Sequence, residues 1–200
     1  MQTYDVIIVG GGPVGVALGI ELGLNHVKTL VLEKHASPLL SPRAQSLNPR
    51  SMEFFRRWKL SETLKAKQLL PPDFPIRGVW CSHLDGKTYA VSSSNEQLTD
   101  EMSPERGVRI PLWLTEEVLR DRVSQLPTVR FLKQHSVFDI QFEKDDVLVF
   151  AKNNSDEIKK FKAKYVAACD GANSIIRKKV EIEFEVLAPP QRVINIMFES

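Results

Sequence analysis

The sequence predicts an α/β fold built on a parallel sheet, and three observations point there. An apolar strand, Asp5 to Val9, runs into Gly10-Gly11-Gly12-Pro13-Val14-Gly15, a helical stretch follows, and a second apolar strand ends at the acid Glu33. Far downstream, Tyr165 to Ala168 resumes the parallel sheet and leads into Asp170-Gly171. Between them lie short alternating segments that suit an antiparallel meander.

The order strand, glycines, helix, strand, acid is the one a dinucleotide site requires. A tight turn after the first strand lets backbone N–H groups approach a pyrophosphate, whose charge the N-terminus of the next helix stabilises. Gly10 is expected to make the turn, Gly12 to leave the pyrophosphate unobstructed, and Gly15 to let the helix pack closely on the sheet. Val14, Ala17, Leu18 and Leu22 form an apolar stripe at helical spacing, and Val27 to Leu32 follows as a buried strand. Glu33 lies 21 residues past Gly12, close to the distance at which an acid reaches a ribose hydroxyl pair. A carboxylate there repels a 2′-phosphate, which favours FAD or NAD over NADP. Glycines also mark plain turns, and Glu33 alone would suit a surface charge or helix cap; the argument rests on all five features falling in order.

Composition narrows the remaining classes. The 200 residues carry 27 basic and 25 acidic side chains, a balance that generates no field for nucleic acid. No run of about 18 uncharged apolar residues is present to span a membrane, and the glycine-interrupted start does not suit a cleaved signal. With only Cys81 and Cys169 and no CxxC pair, a reducing, cytoplasmic setting is expected. His26, His35, His83 and His135 are scattered, so no metal site is expected. Cys169 suits a small buried strand residue better than a nucleophile.

Ser37 to Ser46 reads as a loop with Arg43 in its middle. A guanidinium there could pair with phosphate or simply be solvated. Asn48 is a plausible N-cap with Pro49 at the first helical position, followed by an amphipathic helix ending near Leu60. Then come a short helix, a break at Pro71-Pro72, strand-like pieces at Ile76 to Cys81 and Thr88 to Val91, and a polar connection from Ser92 to Arg106. Thr115 is expected to cap a helix bearing Val118, Leu119, Val123 and Leu126, and Val129 to Leu132 returns as a strand. Val137 to Phe142, Val147 to Ala151 and Lys159 to Ala163 form the meander, inserted before the parallel strand at Tyr165. A short basic helix with Arg177, Lys178 and Lys179 follows.

Three blocks resemble the N-terminal half of the class A flavoprotein aromatic hydroxylases, the group of para-hydroxybenzoate and phenol hydroxylases. They are Gly10 to Gly15 with Glu33, Pro42-Arg43-Ala44-Gln45-Ser46-Leu47-Asn48-Pro49-Arg50-Ser51-Met52-Glu53, and Cys169-Asp170-Gly171-Ala172-Asn173-Ser174-Ile175-Ile176-Arg177. The resemblance covers nearly the whole chain. It implies a Rossmann-like FAD-binding domain of the glutathione-reductase type over residues 1–180, with the inserted meander. Residues 181–200 would begin a mixed-sheet substrate domain whose first strand is Arg192 to Phe198.

The implied cofactor-binding set is Gly10, Gly12, Pro13, Val14, Gly15, Glu33, Lys34, Arg43 and Asp170. Glu33 would serve the adenosine ribose, Arg43 the FAD phosphates and ribose, and Asp170 the family's Asp-Gly motif, which is linked to FAD and to NADH or NADPH as a transient co-substrate. Arg177 would position that loop. The implied reaction is hydroxylation of a phenolic or polyketide-like aromatic with NAD(P)H and O₂, the substrate being a small molecule. Two departures stand out: Leu112 replaces a glutamine usual near the flavin, and no later Gly-Asp motif follows Arg177. These 200 residues alone are therefore expected to be inactive. The departures leave open a non-catalytic nucleotide-binding module, or a related FAD oxidoreductase acting on a non-phenolic ring. They also leave the catalytic base unassigned.

Overall fold

The computed structural model describes residues 2–40, 43–71, 74, 77–83, 85–93, 102–185 and 187. Two compact units emerge, one from residues 1–42 with 115–200, the other from residues 43–114.

The first unit is built on one six-stranded sheet. Its strands are β1 (Thr3–Val9), β2 (Thr29–Leu32), β5 (Val129–Leu132), β6 (Ser136–Phe142), β7 (Val147–Lys152) and β8 (Ile158–Ala168), arranged β5-β2-β1-β8-β7-β6. β5, β2, β1 and β8 run parallel, with Ile8 opposite Val31 on one side and Ala167 on the other. β6, β7 and β8 are antiparallel. Lys159–Ala163 and Tyr165–Ala168, expected as separate strands, are one eleven-residue strand. Lys164 offers no turn chemistry to break it, so the last strand of the inserted meander runs directly into the parallel strand. One face of this sheet is a continuous apolar core containing Ile7, Leu30, Val149, Phe161 and Ile176.

The helix α1 (Pro13–Leu24) covers the other face, with a correction to the expected stripe. Val14 is 69% exposed, and the buried face is Gly15, Val16, Gly19, Ile20 and Gly23. Glycines four residues apart form a ridge without side chains, which allows the helix axis to approach the strands. A Cβ on Gly19 would touch Val31 and Val123 at 3.2 and 3.3 Å, and one on Gly15 would lie 1.9 Å from the Gly10 carbonyl oxygen.

The helix expected to be capped by Thr115 is α4 (Leu112–Ser124), which begins three residues earlier. Leu114 N–H bonds the Pro111 carbonyl, and Thr115 is buried inside the helix. Pro111, lacking an N–H of its own, ends the preceding extended segment and lets the helix start at once. Val118, Leu119, Val123 and Leu126 are buried as expected. The short helix α5 (Ile175–Lys179) follows β8, and Ser174 Oγ accepts the Arg177 N–H at its start.

The second unit holds α2 (Pro49–Arg57), α3 (Ser61–Ala66) and a hairpin of β3 (Arg77–Cys81) and β4 (Thr88–Ser93). Asn48 caps α2 by accepting the Ser51 N–H, as its place before Pro49 predicts. Leu47 and Val108 exchange backbone bonds, and the buried Glu105 carboxylate pairs with Lys65 at 3.0 Å. Hydrogen bonds to Glu62 and then Glu105 push the Lys65 ammonium above its ordinary pKa. Ile76, Pro72 and the segment Arg192 to Phe198 lie outside the described residues.

The contrast between two glycines is measurable. A methyl at position 15 must displace backbone, whereas one at Gly12 meets nothing within 4 Å. Gly15→Ala is expected to cost about 1–3 kcal/mol in urea denaturation despite its better helix propensity. Gly12→Ala should cost less than about 1 kcal/mol.

Candidate dinucleotide-binding site

The C-terminal ends of the parallel strands are tied together by main-chain bonds. Gly10 N–H donates to Leu32, Glu33 N–H to Leu132, and Cys169 N–H to Val9, at 2.8, 2.9 and 2.8 Å. Residues 10–15, 33–35 and 169–174 therefore gather along one edge, where open parallel sheets place their ligands.

Gly10 turns the chain with φ +104°, a conformation that side chains disfavour. A Cβ there would stand 2.3 Å from the Cys169 carbonyl oxygen and 3.0 Å from the Asp170 Cα. The turn thus brings Gly10, Gly15, Cys169 and Asp170 together. Gly12 is the N-cap of α1, Pro13 occupies the first helical position, no side chain caps the helix, and no acid lies in its first turn. Exposed Val14 follows.

Glu33 is 5% exposed, and its carboxylate is held on both oxygens: Oε2 accepts the Gly11 N–H and Oε1 the His35 N–H, each at 2.7 Å. Lys34 beside it is exposed. At the end of β8, Asp170 Oδ2 accepts the N–H groups of Ile175 and Ile176 at 2.7 and 3.3 Å. Its Oδ1 is buried with no partner among the described residues. Gly171 turns the loop with φ +83°. Arg177 donates to the Ile182 carbonyl at 2.7 Å and lies 4.1 Å from the centre of the Phe184 ring, so it fixes the segment after α5. Cys169, expected as a buried strand residue, is half-buried and lies one residue past the end of β8; partial burial, and then the charge of Asp170, push its thiol above its ordinary pKa, which makes it a poor nucleophile.

Arg43 opens the second unit as an exposed coil residue. Leu112 heads α4 and donates its N–H to the Ala44 carbonyl. Two residues that sequence reasoning missed are Gly11 and Arg120, whose guanidinium donates to the Gly11 carbonyl at 3.2 Å. No motif marks Arg120, because the contact joins residues 109 positions apart.

The sequence profile described as "FAD binding domain" matches residues 3–200. The chain belongs to the FAD-binding domain family. It is 27% identical over 203 residues to the para-nitrophenol 4-monooxygenase of Pseudomonas sp. (strain WBC-3), matching all of this chain and 48% of that protein. It is 30% identical over 179 residues to a probable NADH-specific resorcinol 4-hydroxylase of Rhodococcus jostii (strain RHA1), covering 88% of this chain and 32% of that one. Among solved structures, the rebeccamycin biosynthetic enzyme RebC with reduced flavin superposes with a TM-score of 0.81 at 28% identity, over 96% of this chain and 36% of RebC. The chain thus spans between 32% and 48% of the length of these relatives. The α/β fold and the aromatic-hydroxylase resemblance carried by the three sequence blocks agree with this membership.

FAD is the family's cofactor, and the strand edge has the features to receive it. The α1 N-terminus is uncapped, Gly12 faces open space where a Cβ would stand, and the orphaned Asp170 Oδ1 retains its capacity to accept a hydroxyl.

Because Glu33 accepts two N–H groups in a buried setting, Glu33→Gln must turn an amide N–H₂ toward one of those donors. Unfolding by urea should show a loss of about 1–3 kcal/mol in the cofactor-free protein.

Proposed function

We propose that the protein carrying this chain is an FAD-dependent monooxygenase that hydroxylates a phenolic or polyketide-like aromatic, with NADH or NADPH as transient co-substrate. The observation that carries the reading is the uncapped α1 N-terminus facing open space at Gly12 beside the Glu33 carboxylate, in a member of the FAD-binding domain family. The names of its relatives, a nitrophenol monooxygenase and a resorcinol hydroxylase, support a phenolic substrate. Each residue then has a physical task. Gly10 and Gly15 shape the turn, and Gly12, Pro13 and Val14 present the helix start to the pyrophosphate, which adds its charge where the helix dipole is positive. Glu33 retains lone pairs for ribose hydroxyls while its N–H bonds fix its place. Lys34 contributes positive charge at the same edge, Arg43 takes the phosphate and ribose role that its sequence block implies, and Asp170 accepts a hydroxyl further along the cofactor.

When bound, FAD supplies the redox chemistry: NAD(P)H, a proton, O₂ and the aromatic become NAD(P)⁺, water and a product with one added hydroxyl. The chain's own part is to bind and orient. The two unpaired cysteines fit the reducing, cytoplasmic setting of this reading.

The decisive experiment supplies the full-length protein with FAD, NADH or NADPH, a panel of phenols and isotopically labelled O₂. One labelled oxygen atom in the product, with nicotinamide oxidised in step, is the expected outcome. Absence of flavin-coupled nicotinamide oxidation across the panel would move a non-catalytic nucleotide-binding role ahead. A separate prediction concerns Gly12→Ala: a methyl in the path of the pyrophosphate should weaken FAD binding by about tenfold or more, read by flavin fluorescence titration.

A further inference from the structure

Arg120 is a buried charge to which the proposed function gives no task. It projects from α4, is 7% exposed, and reaches the Gly11 carbonyl at 3.2 Å and Glu116 at 3.4 Å through the same nitrogen, Nη2. Its guanidinium carbon lies 5.7 Å from the centre of the Phe131 ring. Nε and Nη1 are buried and have no hydrogen-bond partner among the described residues. A guanidinium is a poor choice for packing alone, since its removal from water is heavily penalised and an apolar side chain of similar size would fill the space at least as well.

What distinguishes its position is the peptide it touches. Gly11 donates its N–H to Glu33 from one side and accepts from Arg120 on the other, so one residue of the glycine loop has both backbone polar groups held by opposite charges. Gly11 is also confined sterically, since a Cβ there would lie 2.6 Å from both Glu33 Cβ and the Phe131 ring. The peptide that follows leads directly to Gly12, the N-cap of α1.

We propose that Arg120 is a positioning residue for FAD binding. With Glu33 it locks the two peptide groups that flank Gly11, and since the second of these carries the Gly12 N–H, the lock sets the direction of the N–H groups that follow. The inference rests on the reading of this loop as the pyrophosphate site.

The test compares full-length wild-type protein with Arg120→Met and Arg120→Lys, measuring the FAD dissociation constant and the melting temperature of each cofactor-free form. Arg120→Met is expected to weaken FAD binding by about tenfold or more, the loss attached to a buried charge-assisted bond. Its cofactor-free form should melt at the wild-type temperature or above, because an apolar side chain replaces a poorly satisfied charge. Arg120→Lys, which keeps a charged donor, should recover part of the affinity. An Arg120→Met protein that binds FAD as the wild type does overturns the proposal and leaves the FAD site intact. One that loses stability and affinity together, with no recovery in Arg120→Lys, also overturns it, in favour of plain packing. A wild-type protein that binds no FAD instead removes the reading of the loop itself. Should Arg120→Met fail to fold, amide exchange in the wild type decides. Slowed exchange on FAD addition in residues 116–122 as well as 10–15 supports the coupling, and slowing confined to 10–15 overturns it.

Discussion

The strand edge depends on a single close approach, that of α1 to the end of β1. The helix starts so near its own strand that position 15 has no room for a Cβ beside the Gly10 carbonyl, and position 10 has none beside Cys169. With side chains at either place, α1 would have to lift away from the sheet or begin further along. Its free N–H groups would then no longer sit between the ends of β1 and β8. Burial alone does not produce this geometry; it requires the absence of side chains at a few positions, which the ridge of Gly15, Gly19 and Gly23 extends along the helix.

A second constraint comes from β8, which belongs to two kinds of sheet at once. Its Ala163 lies opposite Tyr4 of parallel β1 and Val147 of antiparallel β7, and all three are buried in the same core. Because the strand is unbroken, the antiparallel hairpin braces the parallel strands, and the loop at Asp170 is delivered at a defined distance from the glycine loop. The α5 helix is held from its other end too, by Lys179 pairing with Asp139 of β6 at 2.7 Å. That hydrogen bond holds the Asp139 carboxyl below its ordinary pKa. The Asp-Gly loop is thus fixed by strand, cap and ion pair together.

What sequence reasoning recovers here is what is encoded within a few residues. The strand–glycine–helix–strand order, the Asn48 cap before Pro49 and the acid at the end of β2 are all local signals, and each has its counterpart in the fold. The misreadings have several causes, most of them non-local. Val14 looks apolar in a helical stripe, yet a helix resting on glycines turns its small residues inward and leaves such a valine exposed. The start of α4 at Leu112 follows from Pro111 and not from the better capping residue Thr115. Whether β8 is one strand or two depends on partners on both sides, which no segment of the chain reveals by itself. Arg120 is the extreme case, because its partner Gly11 lies 109 residues away and its own neighbours look like an ordinary charged helix surface.

The disposition of charge along the edge carries the argument one step further. In sheet order β2, β1, β8, the strands end in a carboxylate, a bare helix N-terminus and a second carboxylate. Two acids flanking an anion site would be self-defeating if their charge were free. Here each carboxylate is engaged by two backbone N–H groups, Glu33 by Gly11 and His35, Asp170 by Ile175 and Ile176. Charge-assisted bonds of this kind anchor the acids and offset part of their repulsion, while leaving lone pairs that accept hydroxyl groups. On the proposed reading, the order of preferences along the edge would be hydroxyl, phosphate, hydroxyl, the order in which FAD carries its adenosine ribose, its diphosphate and its ribityl chain. A mononucleotide would meet at most the first two of these, which is the physical argument for proposing a dinucleotide at this edge.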